Sequence, residues 1–227
     1  MSDEKDVPVI TIDGPSGTGK GTICHRLAQH LGWHFLDSGV LYRVLAHAAI
    51  KQSIHFTDVD KLLTLAFALN LRFEVDAGQN IIVYLDKQDI SSEIRTEQCG
   101  QNASIIAAIP EIREALLARQ RDFAVAPGLV TDGRDMGTVV FPKALLKIYL
   151  YASTEERAAR RFLQLKKSGN DASLAQVVDE LVKRDARDTA RAHSPLKPAE
   201  DAVHIDTTGL TVAQVFDKVL QLYVERS

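Results

Sequence analysis

A buried strand that runs through a glycine-rich turn into a helix admits few folds, and residues 7–32 read that way: "VPVITIDGPSGTGKGTICHRLAQHLG". The run before Asp13 is apolar on both faces of a strand, and the helical spacing after Lys20 stops at Gly32. A strand apolar on both faces needs cover on both, as in parallel sheets. Further short apolar runs, "WHFL", "GLVT", "LLKIYLY" and "AVHI", are separated by stretches of helical periodicity such as "SGVLYRVLAHAAI" and "TVAQVFDKVLQLYV". The alternation predicts an α/β fold of three layers, a central parallel sheet flanked by helices. Only residues 71–90 break it, where "LRFEV", "DAGQ" and "NIIVYL" predict a small antiparallel insert. A chain of 227 residues can close one substantial core, so a single domain spanning 1–227 is expected.

Composition narrows the function classes. A net charge of -3 argues against a general nucleic-acid coat, so any basic site must be local. Cys24 and Cys99 stand in no zinc or disulfide spacing, and Cys24, on the helix after the glycine turn, reads as a small buried residue. The start "MSDEKD" is charged and has no signal-peptide core, and no run is long enough to span a membrane. A soluble cytoplasmic protein is the expectation.

From Gly14 to Gly19 and Lys20 the spacing is G-x-x-x-x-G-K, in the strand-to-helix context that a phosphate loop requires. Glycines let backbone N–H groups converge on phosphate oxygens, the helix N-terminus adds its positive end, and Lys20 neutralises the outer phosphates. Gly14, Pro15, Ser16, Gly17, Thr18, Gly19, Lys20, Gly21 and Thr22 are therefore the candidate nucleotide triphosphate site. Gly21 departs from the common pattern, which has a hydroxyl there for magnesium; Thr22 or Ser16 would have to supply it.

Three other segments bear on where the phosphate goes. "LDSGVLYR", residues 36–43, predicts a strand end and a helix start at Asp37/Ser38, with Arg43 inside the helix; alone, Arg43 also fits a solvated position. "LVTDGRDMGTVVFP", residues 129–142, ends a strand on Asp132, Gly133, Arg134 and Asp135. Ligands of parallel sheets sit outside the carboxyl ends of the strands, and Asp132 resembles an acid that holds magnesium directly or through water. In isolation "DGRD" also fits a tight surface turn. In "SLAQVVDELVKRDARDTARAHSP", residues 173–195, Leu174, Val177, Val178 and Leu181 form a core stripe. On the same helix Arg184, Asp188 and Arg191 fall within about 60° of one another and adjoin it, as a ligand-facing wall would; an exposed i,i+4 pair is the alternative. Arg157, Arg160 and Arg161 in "ERAARRF", before the turn "KKSGND", suit a mobile helical lid over phosphates or a solvated helix face.

Taken in order, "ITIDGPSGTGKGT", "LDSGVLYR", "SSEIRT", "REALLARQR", "DGRDMGTVVFP" and "RDARDTAR" resemble the bacterial cytidylate kinases, phosphate-loop nucleoside monophosphate kinases. The resemblance implies transfer of the γ-phosphoryl group of ATP to CMP or dCMP in pyrimidine nucleotide metabolism, with Mg2+, in a monomer that needs neither nucleic acid nor membrane. It implies a monophosphate-binding region at about 38–105 and a lid at about 153–172. Arg43, Arg134 and Arg191 match residues that hold the CMP phosphate, Arg184 and Asp188 those at the ribose, and Ser104, Arg113 and Asp135 those at the base. Ser38 joins the CMP set, Thr22 and Asp132 the metal, and Lys20, Arg134, Arg160 and Arg191 the catalytic set. Three rivals stay open: a nucleotide hydrolase, although no NKxD guanine signature is present, a binding module in which the loop senses ATP, and a different small-molecule kinase on the same fold.

Overall fold

The computed structural model describes residues 7–75, 81–167 and 172–226. The charged start, the "DAGQ" turn and most of the "KKSGND" turn lie outside them. The chain forms two compact units, one built from the residues up to Asp37 together with Gln120 onward, the other Ser38–Arg119.

In the first unit, β1 (Val9–Asp13) is buried at every position and leads through the glycine loop into α1 (Lys20–Leu31). Gly32 caps α1 in the left-handed conformation, φ 65°, as its position in the sequence predicts. Next comes β2 (His34–Asp37), which runs straight into α2 (Ser38–Lys51) of the second unit.

The second unit continues with α3 (Val59–Ala68), β3 (Leu71–Val75), β4 (Ile81–Leu85), β5 (Gln88–Asp89), α4 (Ser91–Ile94), α5 (Glu97–Ile106) and most of α6 (Pro110–Arg121). The expected antiparallel insert gains a third strand, in the order β3-β4-β5, because two residues of β5 are too few to leave a periodicity. Side chains of Asp58 and Thr96 cap α3 and α5, and Leu41, Leu45, Leu62, Ile94 and Ile112 centre this unit's core.

Back in the first unit, β6 (Leu129–Gly133) is followed by a π-turn (Met136–Val140), β7 (Leu146–Tyr151), α7 (Thr154–Lys167), α8 (Leu174–Thr189), β8 (Val203–Asp206) and α9 (Val212–Val224). Five parallel strands lie in the order β2-β6-β1-β7-β8. Ile10, Ile12, Leu27, Ile148, Val215 and Val219 join the sheet to α1 and α9. Capping boxes Ser173/Gln176 and Thr211/Gln214 fix the starts of α8 and α9.

Two details of α8 differ from expectation. Val177 and Leu181 are buried with Val178 beside them, but Leu174 is 47% exposed, since it occupies the first helical position at the end of the packed stripe. The helix also stops at Thr189, so Arg191 lies beyond it, and the Leu196 amide turns back to the Asp188 carbonyl at 2.8 Å. Pro195 is incompatible with a helix running on through this segment.

Candidate active site

Register places the first unit's charged groups together. Asp37 and Asp132 are paired positions on β2 and β6, and Asp13 on β1 is paired with Gly133. All stand at the carboxyl ends of parallel strands, where the phosphate loop begins.

The loop is closed on itself. Gly14, Gly17 and Gly19 have φ of 146°, 84° and 91°, and a side chain at Gly14 would overlap the Leu150 carbonyl of β7. Thr18 Oγ1 and Lys20 Nζ donate to the Pro15 carbonyl at 3.2 and 2.8 Å. Burial, then the charge of Arg134, lowers the Lys20 ammonium to about 7 against the partial support of Asp132, with Arg184 adding to the depression. A phosphate beside it would restore an ordinary lysine. Thr22 is exposed on the first turn of α1.

Arginines surround this loop. Arg157, buried, donates to the Ser16 carbonyl at 3.1 Å and pairs with Asp185 of α8 at 2.6 Å, joining loop, α7 and α8. Arg160 bonds the Thr207 carbonyl at 2.6 Å and hydroxyl at 3.1 Å, and pairs with Glu156. Arg161 donates to Gln164 of the same helix at 2.8 Å. Arg184 Nη1 approaches the Ser16 hydroxyl at 3.4 Å. Asp188 binds Arg134 at 2.8 Å through one oxygen and Arg191 through the other. Burial pushes its carboxyl up, but Arg134, Arg191 and Arg184 outweigh that and hold it below the usual carboxylate range. Arg184, Asp188 and Arg191, grouped from sequence as one wall, thus form one charge cluster with Arg134 of the strand end.

"DGRD" is not a surface turn: Asp132 and Asp135 are both buried. Burial, then Asp37, pushes the Asp132 carboxyl well up, and its Oδ1 has no hydrogen-bond partner among the described residues. Asp13 Oδ1 and Oδ2 accept from the Met136 and Gly137 amides at 2.9 and 2.8 Å. Burial nevertheless raises the Asp13 carboxyl to about 6, the two amides opposing.

In the second unit, Ser38, Ser104 and Arg113 are buried. Arg43 Nη1 donates to the Ile94 and Thr96 carbonyls at 2.6 and 3.1 Å, and its guanidinium lies against Gly100, where a Cβ would come within 2.7 Å of it. Arg113 donates to the Ala107 carbonyl at 3.2 Å and stands 5.6 Å from the Tyr42 ring centroid.

Sequence reasoning missed Asp13, Asp37 as a partner of Asp132, and the Arg157–Asp185 bridge. Asp37 could have been found from its place at the end of an apolar run; the bridge joins residues 28 apart on different helices and leaves no local signal.

Among the described residues no helix is long and apolar enough to cross a membrane, and no group of three or more His, Cys, Asp or Glu side chains could hold a metal. The family model for cytidylate kinase matches residues 10–225. A cytidylate kinase of Shewanella denitrificans is 54% identical over 215 residues, covering 94% of this chain and 95% of that protein. One of Stutzerimonas stutzeri is 52% identical over 223 residues, covering 98% and 97%. An uncharacterized protein from Eubacterium ventriosum shares the fold, with TM-score 0.52 at 13% identity over 96% of this chain and 99% of that one. The chain belongs to the cytidylate kinase family.

Proposed function

We propose that the protein transfers the γ-phosphoryl group of ATP to CMP or dCMP, giving ADP and CDP or dCDP. The observation that carries the reading is the cluster of Arg134, Arg184 and Arg191 about Asp188, in the same unit as the phosphate loop. A hydrolase needs positive charge for one set of phosphates; this cluster offers a second anion receptor, fit for an acceptor that brings its own phosphate.

ATP lies on Gly14–Thr22, with Lys20 on its outer phosphates and Arg160 at the loop's outer side. CMP draws its phosphate ligands from Arg43, Arg134 and Arg191, its ribose ligands from Arg184 and Asp188, and its base ligands from Ser104, Arg113 and Asp135, with Ser38 beside them. An oxygen of the CMP phosphate attacks Pγ as the bond from Pγ to the ADP oxygen breaks. The attacking atom is already an oxyanion, so no protein base is required, and the chain's work is alignment, charge neutralisation and exclusion of water. Asp135 accepts a hydrogen bond from the exocyclic amine of cytosine, and Arg113 donates to the base; uracil reverses the pattern at two positions and leaves buried groups unpaired.

The residues fit a magnesium ion: Asp132 Oδ1, which has no hydrogen-bond partner among the described residues and has Asp37 beside it in register, is a hard oxygen donor, and Thr22 offers a hydroxyl. Bound with ATP, the ion would neutralise charge on the outer phosphates. In this reading the protein works as a cytoplasmic monomer without a nucleic-acid partner.

The test is ADP release from Mg-ATP with CMP, dCMP, UMP, AMP or no acceptor, with the product identified. Release dependent on CMP or dCMP is expected. Acceptor-independent release would indicate a hydrolase, and ATP binding without transfer a binding module. Arg134→Ala is expected to lower the rate by about three orders of magnitude; near-normal turnover would remove it from the site.

A further inference from the structure

The π-turn after Asp135 is gripped at both ends by charged side chains that have no part in the transfer just described. Its geometry hangs on Asp135: the Val139 and Val140 amides both donate to the Asp135 carbonyl, at 2.9 and 3.2 Å. At the start, each oxygen of Asp13 takes one amide, those of Met136 and Gly137. At the end, Arg121 donates from Nε to the Val140 carbonyl at 3.0 Å and from Nη2 to the Val139 carbonyl at 3.1 Å. These four backbone groups are ones that a single turn cannot satisfy by itself. Gly137 presses the turn against the sheet, since a Cβ there would lie 2.9 Å from Thr11 Oγ1 and 3.2 Å from Lys147 Cδ. Such turns are rare and locally unfavourable, so their persistence calls for an outside hold.

We propose that Asp13 and Arg121 are positioning residues for base selection: by clamping the π-turn they fix the backbone of Asp135, and through it the preference for cytosine over uracil. The inference rests on the reading of Asp135 as the acceptor of the cytosine amine. Lysine and arginine contacts to phosphate cannot distinguish the two bases, whereas a carboxylate displaced by a fraction of an ångström loses a directional hydrogen bond.

The experiment compares kcat/KM for CMP and UMP, at saturating Mg-ATP, in wild type, Asp135→Asn, Asp13→Asn, Arg121→Gln and Arg121→Lys. Asp13→Asn keeps the shape but sets an NH2 against one of the two amides; Arg121→Gln withdraws the paired donors from an exposed side chain. Each is expected to lower the CMP/UMP ratio about tenfold, the scale of one hydrogen bond, chiefly through the KM for CMP. In Arg121→Gln the KM for ATP stays within about twofold, and Arg121→Lys, which keeps a charged donor, recovers part of the ratio. A merely structural role would depress both substrates alike. If Asp135→Asn lowers the ratio and Arg121→Gln does not, the clamp is overturned. If Asp135→Asn leaves the ratio unchanged, the base reading itself fails. Should Asp13→Asn not fold, Arg121→Gln decides alone.

Discussion

Lys20→Met is expected to make the ligand-free protein more stable while nearly abolishing transfer. Lys20 is 6% exposed, and burial followed by the charges of Arg134 and Arg184 takes its ammonium from 10.5 to about 7. At about 1.4 kcal/mol per tenfold, keeping that charge in the fold costs about 5 kcal/mol at low pH. Methionine fills a similar volume without charge and forfeits the bond to the Pro15 carbonyl, about 1 kcal/mol, which leaves a gain of about 4 kcal/mol at pH 6. The folded-state pKa lies below that of the unfolded chain. The penalty is therefore full below about pH 7 and fades as pH rises toward the unfolded value, so the variant's advantage shrinks by about 3 kcal/mol between pH 6 and pH 9. Urea unfolding in metal-free buffer measures it, and the single tryptophan, Trp33, packed on Gly128 in the same unit, reports the transition. Transfer falls by about three orders of magnitude or more. A variant less stable than wild type at pH 6, or a difference that stays flat to pH 9, would refute the claim that this site is held in electrostatic tension until phosphate arrives.

Asp188→Asn removes the partner of two guanidinium groups and is expected to cost about 3–5 kcal/mol, part of it regained in inorganic phosphate; a melting temperature unchanged from wild type would contradict this. Gly14→Ala forces a side chain into the Leu150 carbonyl at a left-handed φ, so loss of soluble protein or more than about 4 kcal/mol is expected, and a normal urea midpoint would show that β7 yields. Thr211→Ala breaks the α9 capping box, for about 1 kcal/mol with kcat and KM unaltered; a kinetic change would tie α9 to the site in a way its position in the sheet's outer layer does not suggest.

The sequence by itself determined the strand–loop–helix of the phosphate site, the parallel sheet and the grouping of Arg184, Asp188 and Arg191 on one wall. These are matters of local periodicity and of residue type within one stretch of chain, where glycine, proline and apolar spacing act directly on the backbone. Even there the end of α8 was misplaced, because a projected helix carries no account of where the chain turns back. Only the tertiary structure decided that Arg157 braces the loop through Asp185, that Asp37 stands beside Asp132, and that Asp13 and Arg121 hold the two ends of one turn. Each of those contacts joins segments distant in sequence, and their geometry is set by strand register and helix packing, to which a charged side chain contributes no periodic trace.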